Sequence, residues 1–181
     1  MHYRQIALGK PQEGRYPATI ATETAVKRDG YTEVLVCERD AVDLSRAANG
    51  LPLIIGHDSS KVNIGRVINL RVDSRKLRGD VIFGSSELAR EIKQDVDDKI
   101  IDGLSIGYLI SDYVTEGETL RATRWLPFEV AVVSIPADIN SGFFRSKQES
   151  NMSIFSSYDI NNYRFTRLLD AYGRKQAERA A

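Results

Sequence analysis

The chain has 181 residues, 42% hydrophobic and 28% charged, the balance of an ordinary soluble globular protein with room for one domain and an extension. Its 25 basic and 25 acidic residues cancel, so no overall field draws it to nucleic acid or anionic lipid, and neither is expected as a partner. The single cysteine, Cys37, excludes an intramolecular disulfide and a cysteine-based metal cluster, and no segment has the length and apolarity of a membrane span or a signal peptide, so a reducing cytoplasm is expected.

In chain order, residues 18–24 and 32–37 are rich in β-branched side chains and flank the turn-forming Arg28-Asp29-Gly30, which predicts two strands. A short helix is expected from Asp40 or Asp43 to Ala48, ended by Asn49-Gly50. Residues 62–72 and 76–83 have the pattern of a hairpin joined through Asp73-Ser74-Arg75. The best helix is 86–101: Leu88, Ile92, Val96 and Ile100 recur every four residues and lay one apolar stripe along it. Ser85 or Ser86 can cap its start, Glu87 suits the positive end of the dipole, and Gly103 can terminate it.

Two further strands, 104–115 and 119–135, surround a turn at Glu116-Gly117-Glu118. Residues 146–157 are polar and serine-rich, a linker composition, and Phe165, Leu168, Leu169 and Tyr172 then fall at helical spacing, predicting an amphipathic helix over about 162–177. From Arg145 onward seven basic residues stand against four acidic ones, too small an excess to argue for nucleic-acid binding. Many strands and few helices favour an α+β, mainly β fold: a closed or nearly closed sheet with helices packed outside it. The expected division is a domain over 1–145 and a linker with helical tail over 146–181.

Three segments carry the candidate chemistry. Ser105 stands in Gly103-Leu104-Ser105-Ile106-Gly107, where Leu104, Ile106, Tyr108 and Ile110 would face the core and Ser105, Gly107 and Ser111 the other side. A serine beside a glycine leaves backbone exposed and open space, as an acyl substrate requires; the plainer reading is a serine on a solvated strand face. His57, between Gly56 and Asp58, is one of two histidines, and His2 lies at the terminus, so His57 is the candidate imidazole base or else a loop histidine capped by Asp58. Glu129 enters the apolar run 128–135, which has the pattern of a buried central strand; a buried carboxylate without a partner costs several kcal/mol on the scale of ion desolvation. It therefore lies at an exposed strand start or pairs with a cation, either His57 or an arginine such as Arg66 or Arg124.

Asp58 and Asp102 compete with Glu129 for the role of orienting the base. Cys37, between Val36 and Glu38, is an alternative nucleophile whose setting reads as an inert core thiol. Two distant histidines among scattered acids show no metal-ligand spacing, and neither metal nor organic cofactor is expected.

Taken together, Gly56-His57-Asp58 with Ile64-Gly65-Arg66, then Asp102-Gly103-Leu104-Ser105-Ile106-Gly107-Tyr108, then Glu129-Val130-Ala131-Val132-Val133-Ser134-Ile135-Pro136-Ala137, resemble the prohead serine peptidases of tailed bacteriophages over roughly residues 17–140. The resemblance implies His57 as general base, Ser105 as nucleophile and Glu129 as third member, on a β-barrel with surrounding helices similar to the herpesvirus capsid protease. In that distant relative the third member is a second histidine, whereas this chain offers only His2. Ala131 departs from the family pattern, where serine is more common. The resemblance further implies an endopeptidase of capsid maturation, acting in the host cytoplasm inside the assembling prohead. It would cleave scaffold, the amino-terminal arm of the major capsid protein, or both, and also itself, with a homo-oligomer left open. The alternative on the same fold is a catalytically silent capsid-assembly or scaffolding protein.

Overall fold

The computed structural model describes residues 14–145; His2, the expected serine-rich linker and the expected tail helix lie outside the described residues. Within them nine strands form one sheet: β1 (Arg15–Thr22), β2 (Val26–Arg28), β3 (Tyr31–Leu35), β4 (Leu51–Ile55), β5 (Gly65–Asp73), β6 (Lys76–Phe83), β7 (Leu104–Glu116), β8 (Thr119–Val132) and β9 (Gly142–Phe143). A single α-helix among the described residues, α1 (Glu87–Asp97), joins β6 to β7. The mainly β class is therefore as expected, with fewer helices around the sheet than a fully ringed barrel would have.

The strand order is β2-β3-β8-β4-β5-β6-β1-β9, with β7 on the remaining edge of β8. β8 is the spine. Antiparallel β7 runs along one edge for its whole length, while parallel β3 takes the first half of the other edge and parallel β4 the second. A 14-residue strand shared in this way cannot stay flat, and Pro127, which lacks a ladder donor, coincides with a register shift opposite Gly107 and Tyr108. The sheet curls into a half-barrel. At its seam β9 pairs with β1, while Phe143 N donates to Asp102 O at 3.0 Å just before β7 begins. Ser141 Oγ also donates to the carbonyl of Leu104. Inside the curl, Trp125, Leu51, Leu53, Val67, Leu77, Val81, Leu104 and Val130 are fully buried, and the Trp125 indole N–H donates to Val36 O at 2.8 Å.

Two hairpins form where local chemistry predicts them. β5 and β6 are joined through Ser74 and Arg75, both in the left-handed region (φ 53° and 56°), which matches the turn to the strand twist. β7 and β8 turn at Gly117 (φ 61°). The first of these hairpins starts later than its composition suggested: Val62 is 93% exposed, and the ladder begins at Gly65.

The helices depart further from expectation. Residues 40–48 provide only a 3-10 turn, Ser45–Ala47, before Gly50. In α1, Ser86 Oγ accepts from Ala89 N at 3.2 Å as the N-cap, but the helix ends at Asp97, where Lys99 adopts φ 60°, so Gly103 is not its terminator. The buried face is Ala89 and Val96 with Ile92 half-buried, while Leu88 is exposed and Ile100 is 71% exposed. The four-residue spacing drifts around a 3.6-residue helix, so one stripe of side chains cannot stay on the contact face. Likewise β8 stops at Val132 and Ile135 is exposed, so the apolar run 128–135 is not buried throughout.

Candidate active site

His57 and Glu129, 72 residues apart in the chain, come together. β4 is fully apolar and pairs with β8 through Leu53–Val130, Ile54–Ala131 and Ile55–Val132, and Gly56 N extends this by donating to Val132 O at 3.0 Å. The backbone then reverses through Gly56 (φ 58°) and His57 (φ 62°), which returns the imidazole toward β8. There His57 Nδ1 lies 2.6 Å from Glu129 Oε1. The carboxylate side chain is 9% exposed and the imidazole 42%. An ionised carboxylate can only accept, so Nδ1 is the donor in this contact, and in the neutral imidazole that leaves the lone pair on Nε2.

Ser105 lies on the adjacent strand. In the β7–β8 ladder Ser105 faces Ala131 and Gly107 faces Glu129. Opposed residues share a face, so Ser105 and Glu129 are diagonal neighbours, about 7–8 Å apart on such a ladder. An imidazole held against the carboxylate is of a size to span that gap. Ser105 is half-buried, and its hydroxyl makes no hydrogen bond to His57 among the described residues.

The competing assignments separate cleanly. Arg66 is engaged elsewhere, its Nη1 donating to Asn49 O at 2.8 Å, and Arg124 lies near Asp43. Asp58 turns away from the imidazole: its Oδ1 accepts from the Ser60 hydroxyl at 2.5 Å and the Ser60 amide at 3.0 Å, with Lys61 beside it, and these hold its carboxyl below the usual range. Asp102 pairs with Arg145 at 2.9 Å. Cys37 is 1% exposed, and burial, the dominant cause, pushes its thiol up to about 12. A thiol held protonated and out of solvent is no nucleophile.

The bare edge of Gly107 is not open space for a substrate; the carboxylate of Glu129 fills it.

A second buried carboxylate went unnoticed in the sequence. Glu33 on β3 is 5% exposed, and its Oε1 accepts from Arg28 Nε at 3.0 Å, from Arg28 Nη2 at 2.9 Å and from the Tyr108 hydroxyl. Its signal is similar to that of Glu129: an acid within a strand-forming run, here Thr32-Glu33-Val34-Leu35. Arg28, Glu33 and Tyr108 line a small cleft of about 40 Å³ together with Ser105, Ile106 and Asp138. The candidate nucleophile thus borders a recess whose lining mixes apolar side chains such as Ile20, Leu35 and Ile106 with polar ones.

The geometry can be set beside known proteins. The family model for the caudovirus prohead serine protease matches residues 20–153, which includes every strand described above except the first five residues of β1. A protein of Halomonas phage phiHAP-1 named major capsid protein is 39% identical over 141 residues, covering 74% of this chain and 23% of that protein. The chain thus spans about a quarter of that relative's length. No solved structure matches it. A match over most of the chain, through the segments that carry His57, Ser105 and Glu129, leaves one assignment: this chain belongs to the caudovirus prohead serine protease family.

Proposed function

We propose that the protein is a serine endopeptidase of phage capsid maturation, with Ser105 as nucleophile, His57 as general base and Glu129 as the group that orients the base. The observation carrying this reading is the 2.6 Å contact between His57 Nδ1 and buried Glu129 Oε1, one ladder step from Ser105. His57 Nε2 takes the Ser105 proton as Oγ attacks a peptide carbonyl carbon, and the imidazolium so formed is stabilised by the Glu129 carboxylate. The tetrahedral intermediate collapses as the imidazolium returns that proton to the leaving amine, giving an acyl-serine. Water, deprotonated by the same Nε2, then attacks the ester, and the imidazolium returns that proton to the leaving Ser105 Oγ, which releases the acid and restores the serine.

The substrates proposed are the scaffold and the amino-terminal arm of the major capsid protein, cleaved inside the prohead within the host cytoplasm, and the chain itself, with residues 146–181 as a scaffold-like or self-cleaved tail. The proposed three-dimensional relationship is to the herpesvirus capsid protease, which the curled sheet supports. The cleft beside Ser105 supplies a recess for a substrate side chain.

A second reading, a catalytically silent assembly protein on the same fold, is favoured by two observations: the phiHAP-1 relative is named a major capsid protein, and Ser105 makes no hydrogen bond to His57. Intact-mass analysis separates the two. The protein and Ser105→Ala are incubated alone and with the phage's own capsid and scaffold proteins. Fragments present with the wild type and absent with Ser105→Ala establish the peptidase and its cleavage sites. Unchanged masses in both samples favour the silent protein.

A further inference from the structure

The buried carboxylate of Glu129 has little to hold it in place. Oε1 bonds His57, and Oε2 is buried with no hydrogen-bond partner among the described residues. In well-anchored carboxylates several donors fix the group; here only one does, so its aim at His57 depends on the shape of the slot it occupies.

One wall of that slot is Gly107. It lies directly across the ladder from Glu129, beside the register shift between Gly107 and Tyr108. A Cβ at position 107 would fall 2.1 Å from Glu129 Oε1, 2.8 Å from Cδ and 2.9 Å from Cγ. Nothing of the backbone is among these nearest atoms, so the overlap would be relieved by swinging the Glu129 side chain rather than by parting the strands. The atom that must move furthest is the one bonded to His57.

We propose that Gly107 is a positioning residue for the base: the missing side chain at 107 is what allows the Glu129 carboxylate to lie flat against β7 and reach His57 Nδ1. The reason for glycine is side-chain volume at a cross-strand contact, since no left-handed backbone is recorded for Gly107. Its catalytic consequence rests on the peptidase reading, whereas its geometric content does not.

The test is a cycle of Gly107→Ala, Glu129→Ala and the double variant, all in the Ser105→Ala chain so that self-cleavage cannot interfere. The tautomer of His57 is read from its imidazole 15N shifts, and stability from urea unfolding. In the parent chain His57 should be the Nδ1–H form. Gly107→Ala should shift it toward Nε2–H and lower the urea midpoint, and neither effect should appear when Glu129 is already alanine. With Ser105 restored, Gly107→Ala should lower kcat by about a hundredfold with KM changed less than about threefold, the pattern of a lost transition-state interaction.

An unchanged tautomer in folded Gly107→Ala overturns the proposal, as does an equal loss of stability in both Glu129 backgrounds. Should Gly107→Ala fail to fold, recovery of folding in the double variant supports the proposal and failure of both overturns it. A tautomer shift in a protein that cleaves nothing would sink the peptidase reading alone.

Discussion

Tyr108 on β7 donates its phenolic proton to Glu33 on β3, which is 75 residues distant in the chain, and Arg28 donates to both. Both residues line the cleft beside Ser105, and the Arg28 guanidinium neutralises a carboxylate that burial would otherwise penalise heavily. Burial first, and then Glu33, push the Tyr108 phenol up to about 12. Because the folded value lies above that of a free tyrosine, the stability this group contributes is complete below about pH 10 and is lost as pH rises through about 12.

Tyr108→Phe is therefore expected to destabilise the fold by about 1.5–3 kcal/mol at neutral pH, the range for one hydrogen bond to a charged acceptor. Urea unfolding measures the loss. Alkaline titration followed by phenolate absorbance should show a late component in the wild type that the variant lacks.

Gly56→Ala probes the reversal that brings His57 back over β8. No atom stands within 4 Å of where its Cβ would go, so the substitution meets no steric clash and only the left-handed backbone is penalised. The expected loss is about 1–2 kcal/mol for an L-residue in that conformation. The unfolding midpoint should fall, and cleavage should fall further than stability alone explains, because the imidazole rides on the next residue. Activity at matched folded fraction checks this.

Glu129→Gln keeps the volume and removes the charge. The side-chain amide can offer Nδ1 a donor instead of an acceptor, which favours the wrong tautomer and leaves the imidazolium unsupported. On the proposed mechanism cleavage drops by about two to four orders of magnitude, with the protein still folded. Single-turnover cleavage of a capsid-arm substrate, beside a thermal melt, measures both quantities.

Cys37 should resist alkylation in the native protein at pH 8 and react once the chain is unfolded. Its thiol is raised chiefly by burial to about 12, so the native state favours the protonated form. The stability from that preference is complete below the ordinary thiol value of about 8.5–9 and is lost as pH rises through about 12. Labelling with iodoacetamide across a urea series should therefore track global unfolding; rapid labelling without denaturant would contradict a buried thiol.

Much of the secondary structure was legible because its causes are local. Asp73-Ser74-Arg75 and Glu116-Gly117-Glu118 are turn chemistry between strand-forming runs, and both hairpins formed there. Ser86 was legible as a cap because it needs only the amide of Ala89 three residues on. The extent of α1 was not, since its buried face depends on which neighbours it meets; Leu88 and Ile100 match the period and still face solvent.

The site divides in the same way. Residue types alone marked His57, Ser105 and Glu129, because an imidazole after a strand, a serine between glycines and a carboxylate in an apolar run are each unusual, and the order of the three segments resembles one family. Composition could not choose among His57, Arg66 and Arg124 as the partner of Glu129, or exclude Asp58 and Asp102. Those choices depend on strand order: β4 lies beside β8 and β7 on its far edge, pairings between segments tens of residues apart that no short-range preference specifies. The same tertiary contacts exposed Glu33 as a second buried acid and turned Gly107 from open space into the wall of a carboxylate slot. Local residue chemistry marks which side chains carry reactive groups and where the chain turns; which of those groups meet follows from the folded sheet, because burial and distance are properties of the packed chain.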